Sequence, residues 1–106
     1  MIICGGRRSG KTTELVKHAS KHDMYILCAN KVRVANILEI AKELELEIPF
    51  PITLSELPLK GRLIKRICVD DIDEILYRVL SIDVESFTVT ESEIMKLRST
   101  NKPTRA

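Results

Sequence analysis

Gly5-Gly6-Arg7-Arg8-Ser9-Gly10-Lys11-Thr12 decides how this chain is read, and it stands directly behind the apolar run Met1-Ile2-Ile3-Cys4. Every constrained position of G-x-x-x-x-G-K-[ST] is met. Glycines at Gly5, Gly6 and Gly10 let the backbone curl through conformations that a Cβ forbids. Successive N–H groups, with Arg7, Arg8 and Ser9 between them, then point inward at an anion. Gly10 to Thr13 open a helix whose unpaired N–H groups and dipole add to the pull on phosphate. In such a loop Lys11 reaches the outer phosphates and the Thr12 hydroxyl ligates Mg²⁺. A Gly-rich hairpin turn is the rival reading. It fails because a strand pattern leads in and a helical pattern leads out.

Working outward, Lys11–Lys21 reads as a helix with Leu15, Val16 and Ala19 inward. Met24–Ala29 reads as a buried strand, followed by Asn30 as N-cap of a helix over 31–46. That helix carries Val34, Ile37, Leu38, Ala41 and Leu44 on one broad face. Pro49, Pro51 and Pro58 exclude helix through much of Glu47–Gly61, leaving a brief strand at Ile52-Thr53-Leu54 and a turn at Ser55-Glu56-Leu57. Leu63–Val69 is the third main strand. Ile72, Ile75, Leu76, Val79 and Leu80 make an amphipathic helix from Asp71 to Ser81. Val84–Thr90 reads as a last strand. Thr90-Glu91-Ser92-Glu93 has capping-box spacing and predicts a short helix with Ile94, Met95 and Leu97 inward.

The second chemical signal is Ile67-Cys68-Val69-Asp70-Asp71, an apolar strand ending in two carboxylates. Hard Mg²⁺ keeps most of its waters and needs one or two protein oxygens, so the Thr12 hydroxyl plus Asp70 suffices. Asp71 is the candidate for orienting or deprotonating an attacking water. One of the pair is expected to cap the following helix. Thr90, at the carboxyl edge of the last strand, is a third candidate, with helix capping as its competing role.

Composition narrows the classes. The chain has 106 residues, 30% charged and 44% hydrophobic, with a formal charge of +2. This is one domain over 1–98 with a polar tail at 99–106. Its overall charge does not argue for nucleic acid. No apolar run reaches the roughly 20 residues that span a bilayer, no signal-peptide layout is present, and the motif at the first residues is read as leaving no room for a leader. Cys4, Cys28 and Cys68 are far apart and sit in apolar runs, which reads as buried thiols rather than a zinc site. His18 and His22 stand four apart on the first helix and read as solvated. Lys60, Arg62, Lys65 and Arg66 cluster before the Asp70 strand. With two Phe, two Tyr and no Trp in the chain, no stacking platform accompanies them, and a solvated loop is the reading.

Gly5–Thr12 resembles a Walker A motif and Ile67–Asp71 a Walker B motif. Val69–Leu76 is similar to the acidic motif of RecA-like helicase and AAA-type ATPases. Ser86–Thr90 occupies the place of their sensor strand, and Ile52–Leu57 is loosely like the piece between these motifs in helicase cores. Very short P-loop ATPase-like proteins of phages and mobile elements resemble the chain as well. The resemblance covers roughly residues 1–95. It implies a three-layer α/β P-loop NTPase fold with a four- or five-stranded, mainly parallel sheet, main strand order 1-4-3-2. It further implies ATP as the nucleotide, Mg²⁺, slow hydrolysis, and the cytoplasm of a bacterial or phage-infected cell.

The chain departs from that pattern in several ways. Asp71 stands where such ATPases usually carry Glu, no second RecA-like lobe and no late strand after Thr90 are expected, and no arginine finger is evident. Arg78, Arg98 or Arg105 could act on a neighbour in a homo-oligomer, or a protein partner could supply the charge, whose lack slows phosphoryl transfer by about 10³–10⁵. The alternative expectation is a nucleotide-responsive module that never turns over, acting with a nucleic-acid-processing complex. A nucleotide kinase is disfavoured, since no lid segment is found.

Overall fold

The computed structural model describes residues 1–5, 10–57, 64–90 and 93–97. Five short strands alternate with three helices: β1 (Ile2–Gly5), α1 (Lys11–His22), β2 (Ile26–Cys28), α2 (Lys31–Glu43), β3 (Ile52–Thr53), β4 (Cys68–Val69), α3 (Ile72–Leu80) and β5 (Ile94–Leu97). Every described pairing is parallel. This is an α/β protein.

The strands form two groups. β2 lies between β3 and β4, with Leu27 opposite both Ile52 and Val69. β1 pairs with β5, from Ile2 opposite Ile94 to Gly5 opposite Leu97. Alternation along β2 sorts the core onto two faces. Ile26 and Cys28 pack with Val16 and Ala19 of α1 and with Val34, Ile37 and Ala41 of α2. Leu27 and Ala29 pack with Ile52 and with Ile75 of α3. Helices therefore cover both faces of the three-stranded sheet. The second and third main strands of the sequence reading are neighbours, as β2 and β4. The order 1-4-3-2 further needs a pairing that joins β4 to the β1–β5 group, and none stands among the described pairings.

Local chemistry explains the elements that match the reading. Asn30 adopts an extended conformation and its side chain accepts from the Arg33 N–H, so α2 starts where a capping residue was expected. Ile52–Thr53 is the brief strand. A 3₁₀ turn at Leu54–Glu56 follows, capped by the reciprocal Thr53 and Glu56 contacts, so Leu54 belongs to the turn. Cys28 and Cys68 are buried and Cys4 is half-buried, all as free thiols.

Several expectations are corrected. Val84–Thr90 forms no strand, and Glu85 to Thr90 are all exposed. Its β-branched residues favour an extended chain, but a strand needs a neighbour to pair with, and this segment has none among the described residues. The short helix expected after Thr90 is strand β5, with Met95 and Leu97 half-buried and Ile94 and Lys96 exposed. Satisfying the backbone groups along β1 outweighs a capping signal of about 1 kcal/mol; the ladder begins where the Ile2 N–H donates to the Glu93 carbonyl at 2.6 Å. Finally, α2 ends at Glu43, which leaves Leu44 outside the packed face at 36% exposure. On α3 only Ile75 is buried, while Ile72, Val79 and Leu80 face outward. Leu63 lies outside the described residues, and the third strand shortens to Cys68–Val69.

Among the described residues, no helix is long and apolar enough to cross a membrane.

Candidate phosphate and metal site

Parallel strands put their carboxyl ends on one edge of a sheet, where ligand sites of α/β folds gather. On that edge stand Thr53 at the end of β3, Asn30 after β2 and Asp70 after β4, the last held in place as its N–H donates to the Leu27 carbonyl at 3.0 Å. Asp70 is 4% exposed. Its Oδ1 accepts from the Thr12 hydroxyl at 3.2 Å, across 58 residues of sequence. The contact ties the first turn of α1 to the end of β4. It brings together the two residues expected to share a metal.

The loop end of α1 carries no side-chain cap. Gly10, at φ +88, is the N-cap and offers no side chain to the helix, so no side-chain cap occupies the first N–H groups. A Cβ at Gly10 would meet nothing within 4 Å, so the left-handed backbone and not crowding calls for glycine there. Lys11 is exposed and its Nζ donates to the Gly5 carbonyl at 2.9 Å, which lays its charge across the base of the loop. Thr13 is half-buried in the first turn of α1. Gly6, Arg7, Arg8 and Ser9 lie outside the described residues.

Asp70 and Asp71 divide their tasks. Asp71 takes a left-handed conformation at φ +54 and caps α3, accepting from the Glu74 N–H at 3.4 Å. Asp is among the few residues that tolerate this geometry. The cap engages the Asp71 carboxylate with the first turn of its own helix. Thr90 ends the irregular segment, exposed, and among the described residues nothing hydrogen-bonds it; the strand meant to deliver it to the site is absent. Of the candidate arginines, Arg78 donates to Glu74 at 2.8 Å one turn back along α3. Arg98 and Arg105 lie outside the described residues, as do Lys60 and Arg62.

Sequence reasoning missed Arg33. Its Nε and Nη2 donate to Asp70 Oδ2 at 3.0 and 2.8 Å, making the buried end of β4 an ion pair with α2. Burial pulls the guanidinium pKa down, but its hydrogen bonds to Asp70 and the charges of Asp70 and Asp71 more than reverse this and hold it raised. A signal was present. The first turn of α2 carries Lys31 and Arg33 with no acidic residue, against the helix dipole, which calls for an anion nearby. Cys28, close by on β2, has its thiol pushed up to about 12 by burial and then by the Asp70 charge, so it stays protonated.

The donor set suits Mg²⁺. A hydroxyl and a buried carboxylate offer hard oxygens side by side, and this ion asks for no more than one or two from protein. No group of three or more His, Cys, Asp or Glu gathers among the described residues.

At the far end of α1, the His18 and His22 rings lie 4.4 Å apart at centroid, sharing a face. The His18 pKa is lowered, first by burial and then by the charges of His22, the N-terminus, Arg66 and Lys21. A depressed imidazole binds fewer protons folded than unfolded, so its contribution is full above about pH 6.5 and is lost as pH falls toward the lowered value. Urea midpoints should therefore drop between pH 7.5 and 5.5. The drop should be smaller in His18→Gln; an identical drop in both proteins would remove His18 from the explanation. Lys65 and Arg66 line an open cleft of about 230 Å³ with His22 and Tyr25.

Compared with known proteins, the chain matches no described family, and no curated protein or solved structure is significantly similar to it.

Proposed function

We propose that this protein binds Mg²⁺–nucleoside triphosphate at Gly5–Thr12 and hydrolyses it slowly. The observation that carries the reading is the Thr12–Asp70 contact at 3.2 Å. Two residues singled out for one metal, from motifs far apart in the chain, meet at the edge where an anion-binding helix terminus opens. Support comes also from Gly10, whose backbone frees the first N–H groups of α1, and from Lys11, whose ammonium lies over the loop base. In this reading the loop N–H groups and Lys11 bind and orient the phosphates. Thr12 and Asp70 hold Mg²⁺, which supplies charge neutralisation at the phosphate oxygens when bound. ATP is the favoured nucleotide through the Walker A and B resemblance, and a RecA-like sheet belongs to the same proposal.

Slow turnover follows from what surrounds the site. Asp71 is engaged as a cap, and among the described residues Arg33 is committed to Asp70 and Arg78 to Glu74. A second copy or a protein partner is the proposed source of the missing charge. Asp71's capping role specifically favours the second reading, a nucleotide-responsive module without turnover. Phosphate release from Mg²⁺–ATP by the purified protein separates the two. The enzyme reading expects a slow but measurable rate that is lost in Asp71→Asn, since a positioned base contributes about 10²–10⁴-fold. No release above background selects the binding module.

A further inference from the structure

We propose that Arg33 is a placeholder cation. It holds the Asp70 carboxylate buried, charged and aimed while Mg²⁺ is away, and it competes with Mg²⁺ for that carboxylate, so it sets how much metal the site requires. The inference rests on the Mg²⁺–nucleotide reading above and adds a positioning residue that the motifs do not contain.

Burial makes the need. Asp70 is 4% exposed, and an isolated buried carboxylate is too costly to keep ionised. Among the described residues Arg33 alone pairs with it, since the Lys11 ammonium is on the Gly5 carbonyl. Without Arg33 the metal-free protein would hold an uncompensated charge in its interior, the costly half of a broken buried pair.

Geometry makes the device. Both guanidinium N–H groups fall on Oδ2, and the Thr12 hydroxyl falls on Oδ1. The two carboxylate oxygens are thus divided: one is gripped, the other is presented beside the second hard donor. The grip also has a firm base, because the Arg33 backbone N–H is bonded to the Asn30 cap at the start of α2. Yet the Arg33 side chain is 35% exposed against 4% for Asp70, so the pair opens to solvent on the arginine side. When a divalent ion approaches Oδ1, it meets a carboxylate already half neutralised and a nearby positive charge, both of which weaken it. Arg33 trades metal affinity for stability of the metal-free fold.

This trade predicts opposite signs for two measurements on one variant. Arg33→Met keeps the stem and removes the charge. In urea without nucleotide its unfolding midpoint should fall, and Asp70→Asn should erase most of the difference that Arg33→Met makes. In a titration of Mg²⁺ at fixed fluorescent ATP analogue, Arg33→Met should need less Mg²⁺ for half-maximal binding, by roughly three- to thirtyfold. Arg33→Lys retains a charge without the planar fork and should fold even if Arg33→Met does not, with both readouts between those of the parent and the neutral variant. An Mg²⁺ requirement that is unchanged or raised in Arg33→Met, or in Arg33→Lys should only that variant fold, overturns the placeholder while leaving the nucleotide reading in place. Equal urea midpoints for the parent and Arg33→Met overturn it also. Failure of the parent protein to bind the analogue at any Mg²⁺ concentration overturns the nucleotide reading itself, and the competition with it.

Discussion

Replacing Lys11 with alanine is expected to weaken ATP binding by roughly tenfold to a hundredfold, the worth of charge-assisted hydrogen bonds at about 1.5–3 kcal/mol. The fold should barely register the change. Lys11 is exposed, and its only described bond is the one to the Gly5 carbonyl. Surface substitutions of that kind stay within about 0.5 kcal/mol of the parent. Affinity and stability therefore separate cleanly at this residue. Calorimetric titration alongside a thermal melt reads both, and an unchanged affinity with an unchanged melt would remove the loop from the account.

The largest stability effect outside the ion pair is expected at Ile26. This residue is 0% exposed in β2, opposite Cys68, and it packs where α1 and α2 meet the sheet. Ile26→Ala should cost about 2–5 kcal/mol through lost burial and the cavity left behind. Because β2 is the strand that both β3 and β4 pair with, loosening it also loosens the Asp70 N–H bond to the neighbouring Leu27 carbonyl. A urea midpoint corresponding to less than about 1 kcal/mol of loss would show that the site edge is not hung on this strand.

Much of this arrangement was legible residue by residue, and physics says why. Val16, Ala19, Val34, Ile37 and Ala41 follow helical spacing, and burial then follows from periodicity. Asn30 had the chemistry of a cap and is one. Of the two adjacent carboxylates one was expected to cap, and Asp71 does, which leaves Asp70 facing Thr12. What escaped depends on distant partners. Ile94-Met95-Lys96-Leu97 fits a helix or a strand equally well in isolation, and its register against β1 decides. Val84–Thr90 has strand propensity, but propensity cannot announce that no strand among the described residues pairs with it. Arg33 escaped because nothing local marks an arginine as the counter-charge of an aspartate 37 residues later; only the lack of acid in its helical turn gave a hint.

The central claim is that Thr12 and Asp70 meet in order to hold Mg²⁺ against a bound nucleotide. The direct measurement is ATP affinity by calorimetry with Mg²⁺ and with excess EDTA, for the parent protein and for Asp70→Asn. The account predicts that Mg²⁺ tightens binding by about tenfold or more in the parent and by little in the variant, with EDTA values alike for the two. Parent affinity indifferent to Mg²⁺, or an equal Mg²⁺ effect in Asp70→Asn, would contradict it.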